Sequence, residues 1–99
     1  MHKTLFVALS LAALGSDASA ESGMASYYGY SKGHGGEMTC AHRTRPFGSM
    51  VTVTYGGHSI RCRVTDRGPF IRGRVIDLSV GAARALGMMQ AGVVHVSVQ

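Results

Sequence analysis

Short segments in which apolar and polar residues alternate, separated by glycine, run along most of this chain, and 14 of its 99 residues are glycine. Residues 50–55 and 58–65 both alternate, and only Gly56 and Gly57 lie between them. A two-residue glycine connection between two alternating segments favours a tight β-hairpin with a type I′ or II′ turn. The same pattern predicts further short strands at residues 24–28, 38–41, 74–78 and 93–98.

The periodicity changes after the strand predicted at residues 74–78. Ser79 is a favourable N-cap for the segment VGAARALG, whose alanines favour a helix and whose last residue, Gly87, is a typical helix stop. Closure of the strands into a barrel would leave no strand edge open to aggregation. We therefore expect an all-β fold: a single six-stranded β-barrel domain at residues 21–99 with one short helix, and a flexible tract at residues 29–36.

Residues 1–20 have the composition of a secretory signal peptide. They begin with a basic segment, continue with an apolar run over residues 5–14, and end on the residues Ala-Ser-Ala. That ending is a typical cleavage site, and the apolar run is far shorter than the roughly 20 residues that span a bilayer. We therefore expect cleavage after Ala20 and an exported product, periplasmic or extracellular, with no stable membrane insertion.

The chain has two cysteines, Cys40 and Cys62. In an oxidising compartment, a lone pair in a small domain usually forms a disulfide, and a loop of this size would stabilise the fold by about 3 kcal/mol. The alternative is a metal site, but two isolated cysteines lack the close C-x-x-C spacing of zinc sites. We expect a disulfide, no metal and no cofactor.

The chain is basic, with a formal net charge of +5. A basic surface favours a polyanionic partner through long-range attraction. For an exported protein, the available polyanions are peptidoglycan with its stem-peptide carboxylates, teichoic acids, lipopolysaccharide or capsule, and nucleic acid is not expected. The alternative is that the charge only aids solubility. We expect a monomer that acts on a cell-wall polymer.

Several motifs together carry a family resemblance. In order along the chain they are ASYYG, AHRTRPFGSMVTV, CRVTDRGPF, IRGRVIDLS and AARALGM. In this order they resemble the rare lipoprotein A family, whose domain is a double-psi β-barrel. The resemblance implies that fold and the activity of a lytic transglycosylase, which cleaves peptidoglycan glycan strands and leaves 1,6-anhydromuramic ends. It also implies that His42 and Asp66, which match the family's active-site histidine and aspartate, are catalytic.

Asp66 ends a predicted strand and is followed by a sharp Gly-Pro bend, a position where side chains tend to line a cleft. Its neighbours Arg63 and Arg67 would hold it ionised if they pointed at it. The structural alternative is that it bonds the amides of its own turn. Asp77 allows the same two interpretations, and the start of the predicted helix offers it amides to accept from.

His42 can donate or accept a proton near neutral pH, although a histidine at a strand end is often only a hydrogen-bonded structural residue. Lytic transglycosylases of the family also carry a glutamate before this histidine, and two alignments compete for it. If the GE pair is matched, Glu37 is the catalytic acid and a loop has been deleted after it. Without a gap, Glu37 falls on an ordinary position and the glutamate is lost. We favour the second alignment, because residues 38–42 should keep their alternation.

Tyr28 offers an aromatic face to sugar rings, and Arg43 and Arg67 offer positive charge to acidic groups, so we expect these three to bind substrate. The structural alternative is that alternate tyrosines among Tyr27, Tyr28 and Tyr30 fill the barrel core. Two further functions stay open. The domain could be a non-catalytic polysaccharide-binding module, as in the expansins, which resemble this barrel, or a secreted effector or inhibitor that uses the barrel as a scaffold.

We also expect a Cys40–Cys62 bridge to clamp together the two strands that carry His42 and Asp66. In the ungapped alignment this clamp would replace the ordering role of the lost loop.

Overall fold

The computed structural model of the chain describes residues 20–28 and 36–99. Most of the predicted signal peptide, and most of the tract predicted at residues 29–36 together with Tyr30, lies outside the described residues. In the part of the chain that the structure describes, no helix is both long and apolar enough to cross a membrane.

The elements follow the sequence pattern closely. In chain order they are β1 (Glu21–Tyr27), β2 (Thr39–Ala41), β3 (Met50–Tyr55), β4 (His58–Asp66), β5 (Arg74–Leu78), α1 (Val80–Leu86) and β6 (Val94–Val98). The predicted strands and the predicted helix are all present. The largest difference is at β1, which begins at Glu21 because its first residues pair with the end of β6, where Glu21 lies opposite Val98.

The strands form a closed barrel in the order β1-β5-β2-β4-β3-β6. The β1–β5 and β2–β4 pairs are parallel, and the other neighbours are antiparallel. Closure pairs both edges of every strand, which removes the aggregation liability of an open edge. The expected six-stranded all-β barrel with one short helix is confirmed.

The apolar residues of the alternating strands fill the barrel interior. In β6 the three valines are buried while His95 and Ser97 between them are exposed, and β3 and β4 bury alternate residues in the same way over much of their length. The helix adds the face that carries Ala82, Ala83 and Leu86. The largest fully buried side chains come from all these elements, and they include Val51, Val53, Val64, Ile76, Leu78, Leu86, Met88, Val96 and Val98.

The turns are formed by the residues that the sequence singles out. Tyr55 lies opposite His58 across the hairpin, and Gly56 takes a φ of 59°, a conformation that glycine adopts without strain. At the helix, the Ser79 hydroxyl accepts a hydrogen bond from the Ala82 amide. Gly87 ends the helix in the left-handed conformation.

Burial does not alternate at the end of β2, where Cys40, Ala41 and the following His42 are all buried. The register with β4 shifts at the same place, since Cys40 lies opposite Val64 and Ala41 lies opposite Asp66, which leaves Thr65 as the extra residue of β4. Such a bulge places two residues of one strand against one step of the other and re-aims the side chains beside it. The burial pattern therefore does not support the alternation expected over residues 38–42, and the choice between the two alignments of Glu37 stays a prediction.

Cys40 and Cys62 form the predicted disulfide. The bond joins β2 to its parallel neighbour β4, from the middle residue of β2 to the middle residue of β4. Both cysteines of the chain are used in this bond, so neither is available as a metal ligand.

Candidate active site

His42 and Asp66 meet where β2 and β4 end. The backbone amide of His42 donates a hydrogen bond of 3.0 Å to the carbonyl oxygen of Asp66. Parallel neighbours end at the same edge of a sheet, so the two residues predicted to act together lie side by side at one end of the barrel.

The imidazole of His42 is buried, and both of its ring nitrogens have hydrogen-bond partners. The residue is 3% exposed, and its Nδ1 accepts hydrogen bonds of 3.1 Å from the backbone amides of Thr44 and Arg45. Its Nε2 lies 2.5 Å from Oε1 of Glu21. Because Nδ1 accepts from two N–H groups it carries no hydrogen, so we assign the ring proton to Nε2, which donates it to the Glu21 carboxylate. The catalytic role of His42 stays a prediction.

Asp66 is exposed at the end of β4, and the neighbouring arginines point elsewhere. The guanidinium of Arg63 pairs with Glu37 at 3.3 Å. Arg67 Nη1 donates to the carbonyl oxygens of His42 and Arg45 at 3.1 and 2.8 Å. Within residues 20–28 and 36–99, no hydrogen bond or ion pair engages the Asp66 carboxylate, which leaves it open to solvent or to a ligand.

The charges of three carboxylates act on the hydroxyl group of Tyr28, which lies directly after β1. That hydroxyl is 3.1 Å from Oγ1 of Thr39. Burial raises the pKa of the Tyr28 phenol above its usual 10.0, the charges of Asp66, Asp77 and Glu37 raise it further, and the hydrogen bond with Thr39 opposes them. Asp66 and Glu37 therefore act on the same phenol, although they are far apart in sequence. At neutral pH this phenol is uncharged and able to donate a hydrogen bond.

The ionisation of Tyr28 gives a testable prediction. Because its pKa is raised in the folded state, the stability that this group contributes is present below pH 10 and is lost as the pH rises through the raised value. An ultraviolet titration of the native protein minus that of the Tyr28→Phe variant isolates one phenol. We expect its midpoint above pH 10, and the same subtraction in denaturant, as the control, should return the ordinary value. A native midpoint at or below the denatured one would contradict the burial of this phenol and the action of the three carboxylates on it.

Asp77 has a structural partner that differs from the predicted one. Its Oδ1 accepts a hydrogen bond of 2.6 Å from the hydroxyl of Ser26, and that hydroxyl accepts one of 2.7 Å from Nη1 of Arg74. The helix N-cap predicted as the alternative role of Asp77 is supplied by Ser79. Asp77 therefore links the paired strands β1 and β5.

Glu37 is held by its backbone as well as by its side chain. Its carbonyl oxygen accepts a hydrogen bond of 2.8 Å from the Ser79 hydroxyl, while the side chain is exposed and pairs with Arg63. The same Ser79 hydroxyl accepts from the Thr39 amide at 3.1 Å. Ser79 thus joins the start of the helix to the segment that carries Glu37.

Two arginines and two phenylalanines lie in the loops beside the site. Arg43 is exposed in the turn after β2. Arg67, besides its bonds to carbonyl groups, stacks on the ring of Phe47 at 3.9 Å from the centroid. Phe47 and Phe70 are 61% and 78% exposed. Both phenylalanines lie inside the motifs that carry the resemblance, in RPFG and RGPF. Their place in these motifs could have indicated them as site residues from the sequence. Nothing in the sequence pointed to Glu21.

In the described part of the chain, no group of three or more histidine, cysteine, aspartate or glutamate side chains is arranged to hold a metal ion.

The model of the lytic transglycolase family matches residues 20–98, and the chain belongs to this family. The chain is 48% identical over 91 residues to the probable endolytic peptidoglycan transglycosylase RlpA of Nostoc sp., a match that covers 78% of the chain and 24% of the relative. It is 48% identical over 92 residues to the endolytic peptidoglycan transglycosylase RlpA of Vibrio cholerae, covering 80% and 35%. The predicted rare lipoprotein A membership is confirmed. The match spans only about a quarter to a third of the length of these relatives.

Solved structures share the barrel. The apo expansin of Clavibacter michiganensis superposes with a TM-score of 0.66 at 24% identity, over 81% of this chain and 49% of the expansin. At that identity, the likeness shows the fold alone. The Streptomyces papain inhibitor superposes with a TM-score of 0.64 at 28% identity, over 83% of this chain and 94% of the inhibitor. Barrels of this fold therefore occur in proteins with different names, so the fold alone does not define the function.

Proposed function

We propose that this domain cleaves the glycan strands of peptidoglycan as a lytic transglycosylase and leaves 1,6-anhydromuramic ends. The observation that carries the proposal is the Asp66 carboxylate, which is exposed at the barrel end and has no hydrogen-bond or ion-pair partner among the described residues. The relatives named endolytic peptidoglycan transglycosylases support the same activity.

The reaction requires one proton to be given and one to be taken. The carboxylic acid of Asp66 protonates the glycosidic oxygen as its bond to the anomeric carbon of the muramic sugar breaks. The 6-hydroxyl of the same sugar then bonds to that carbon and gives its proton to the Asp66 carboxylate. No water is consumed, and the acid is regenerated, so one carboxyl group completes the cycle.

The neighbours of Asp66 have supporting roles in this proposal. Tyr28 offers a neutral hydroxyl to a sugar hydroxyl or acetamido group, because its raised pKa keeps its proton in place. Arg43 and Arg67 supply positive charge toward the carboxylates of stem peptides. Glu37 is the candidate for a separate proton donor, since its charge reaches the same phenol as that of Asp66, although its side chain also pairs with Arg63.

We further propose that residues 1–20 direct export and are removed after Ala20, and that the mature domain acts as a monomer in the periplasm or outside the cell. The disulfide supports an oxidising compartment. Peptidoglycan lies in that compartment, so the proposed location and substrate agree.

The test is digestion of purified glycan strands by the mature protein, with heat-unfolded protein as the control. We expect soluble fragments that end in 1,6-anhydromuramic acid, identified by mass spectrometry. Sedimentation of the protein with the strands without any new ends would contradict the proposal and support the expansin-like binding module. The exposed rings of Phe47 and Phe70, which could pack on sugar rings, are the observation that favours this alternative.

A further inference from the structure

We infer that Glu21 is a positioning residue for the proposed site. Its carboxylate fixes the buried imidazole of His42 in one tautomer, and this imidazole holds the turn after β2 against the end of β4, where Asp66 lies. The inference rests on the proposed function for its effect on activity, but the tautomer and the turn are properties of the folded chain itself.

His42 is the residue through which the turn and the strand end are joined. Its backbone amide donates to the carbonyl of Asp66 at 3.0 Å, and its own carbonyl accepts from Arg67 at 3.1 Å. The bond to Asp66 is made by its backbone carbonyl and the bond to Arg67 by its guanidinium, so His42 contacts both the last residue of β4 and the residue that follows it. A displacement of His42 would therefore move the backbone that carries the proposed catalytic carboxylate.

The ring of His42 fixes the other side of the turn. Nδ1 accepts from the amides of Thr44 and Arg45, both at 3.1 Å. If the proton were on Nδ1, an N–H group would face two N–H donors, and both amides would lose their acceptor. Only the tautomer with the proton on Nε2 is compatible with this turn.

That tautomer needs an acceptor at Nε2, because a buried N–H group without a partner is costly. The acceptor is Oε1 of Glu21 at 2.5 Å. Glu21 can reach the ring because the first residue of β1 lies at the barrel end where Val98 and the chain's last residues pass. The turn is tied to the same place, since Arg45 Nη1 donates to the carbonyl of Gln99 at 3.4 Å.

Glu21 acts in this account as a hydrogen-bond acceptor and transfers no proton to the substrate. Glutamine keeps an acceptor oxygen at the same position but cannot act as an acid, whereas alanine removes the acceptor altogether. The variants Glu21→Gln and Glu21→Ala therefore separate positioning from proton transfer. The matched control is Ser22→Ala, at the exposed neighbouring position of the same strand.

The experiment combines nitrogen-15 NMR of the imidazoles, hydrogen exchange and kinetics on protein that begins at Ala20, so that the glutamine of the Glu21→Gln variant is not the N-terminal residue and cannot cyclise to pyroglutamate. In the native protein and in Glu21→Gln, we expect His42 to show a single tautomer with the proton on Nε2, and the Thr44 and Arg45 amides to be protected from exchange. In Glu21→Ala we expect faster exchange at these two amides. We also expect kcat on glycan strands to be lower by about tenfold to a hundredfold, with KM little changed, since misplacement of a catalytic group reduces turnover. Ser22→Ala should match the native protein.

Several outcomes would overturn the inference. The first is a proton on Nδ1 of His42 in the native protein. This measurement requires neither a variant nor an active enzyme. The second is unchanged amide protection and unchanged kcat in a folded Glu21→Ala protein. The third is a Glu21→Gln variant that keeps the tautomer yet loses as much activity as Glu21→Ala, because Glu21 would then be a proton donor. If the native protein cleaves nothing, the proposed function fails, and the tautomer and exchange measurements still decide whether Glu21 positions His42.

Discussion

Replacement of Asp66 by asparagine is expected to lower the rate of glycan cleavage by at least about a hundredfold, because the amide can neither give the proton to the glycosidic oxygen nor take one from the 6-hydroxyl. The fold should be unaffected. The Asp66 side chain is exposed and has no hydrogen-bond or ion-pair partner among residues 20–28 and 36–99, so the change removes no hydrogen bond or ion pair there. The measurement is the initial rate of release of anhydromuramic products, together with the thermal unfolding midpoint.

The matched control for this variant is Asp77→Asn. Asp77 is also among the carboxylates that act on Tyr28, but it accepts a hydrogen bond from Ser26, and an asparagine oxygen can still accept that bond. The same chemical change should therefore leave most of the activity at position 77. Equal losses of activity at both positions would mean that the negative charge near Tyr28 matters and not acid–base chemistry at Asp66. Full activity in Asp66→Asn would exclude Asp66 as the catalytic group.

Removal of the Cys40–Cys62 disulfide is expected to lower the free energy of unfolding by about 3 kcal/mol, from the entropy of closing a loop of this length in the unfolded chain. The sequence separation of the two cysteines is 22, and the small domain has a limited core to compensate for the loss. The measurement is urea denaturation of the native protein and of the double variant Cys40→Ser/Cys62→Ser.

The control for the disulfide is reductant. It should lower the stability of the native protein to that of the double variant and leave the double variant unchanged. A difference below about 1 kcal/mol would show that the bridge constrains the unfolded chain little. The bond joins β4, which ends at Asp66, to β2, which ends one residue before His42. The reduced protein should therefore also cleave glycan more slowly at temperatures where it is still folded.

The features of the fold that depend on neighbouring residues could be predicted from the sequence. The hairpin follows from alternation on both sides of Gly56 and Gly57, and the helix from Ser79 and Gly87 at its two ends. The start of β1 could not be predicted in this way, because Glu21 pairs with Val98 at the far end of the chain. The bulge between β2 and β4 was also missed, since it arises from the pairing of two strands and leaves no mark on either sequence alone.

The candidate site, like the fold, could be predicted only in part from the sequence. The resemblance placed His42 and Asp66 together, and their backbones are hydrogen-bonded. Pairing with the arginines beside it was one of the two alternatives left open for Asp66, but neighbouring residues of an extended chain point to opposite faces. Arg63 and Arg67 accordingly contact Glu37 and the turn after β2 instead. The contact between Glu21 and His42 joins residues 21 positions apart, with no periodicity to indicate it.

The most direct test of the proposed reaction is digestion of glycan strands in water labelled with heavy oxygen. If the 6-hydroxyl of the muramic sugar closes on its own anomeric carbon with Asp66 as acid and base, every new end should be an anhydro sugar that contains no label. Label at the anomeric carbon of the new ends would mean that water is the nucleophile and that the protein is a hydrolase. That result, or intact strands after exposure to folded protein, would contradict the mechanism proposed for this barrel.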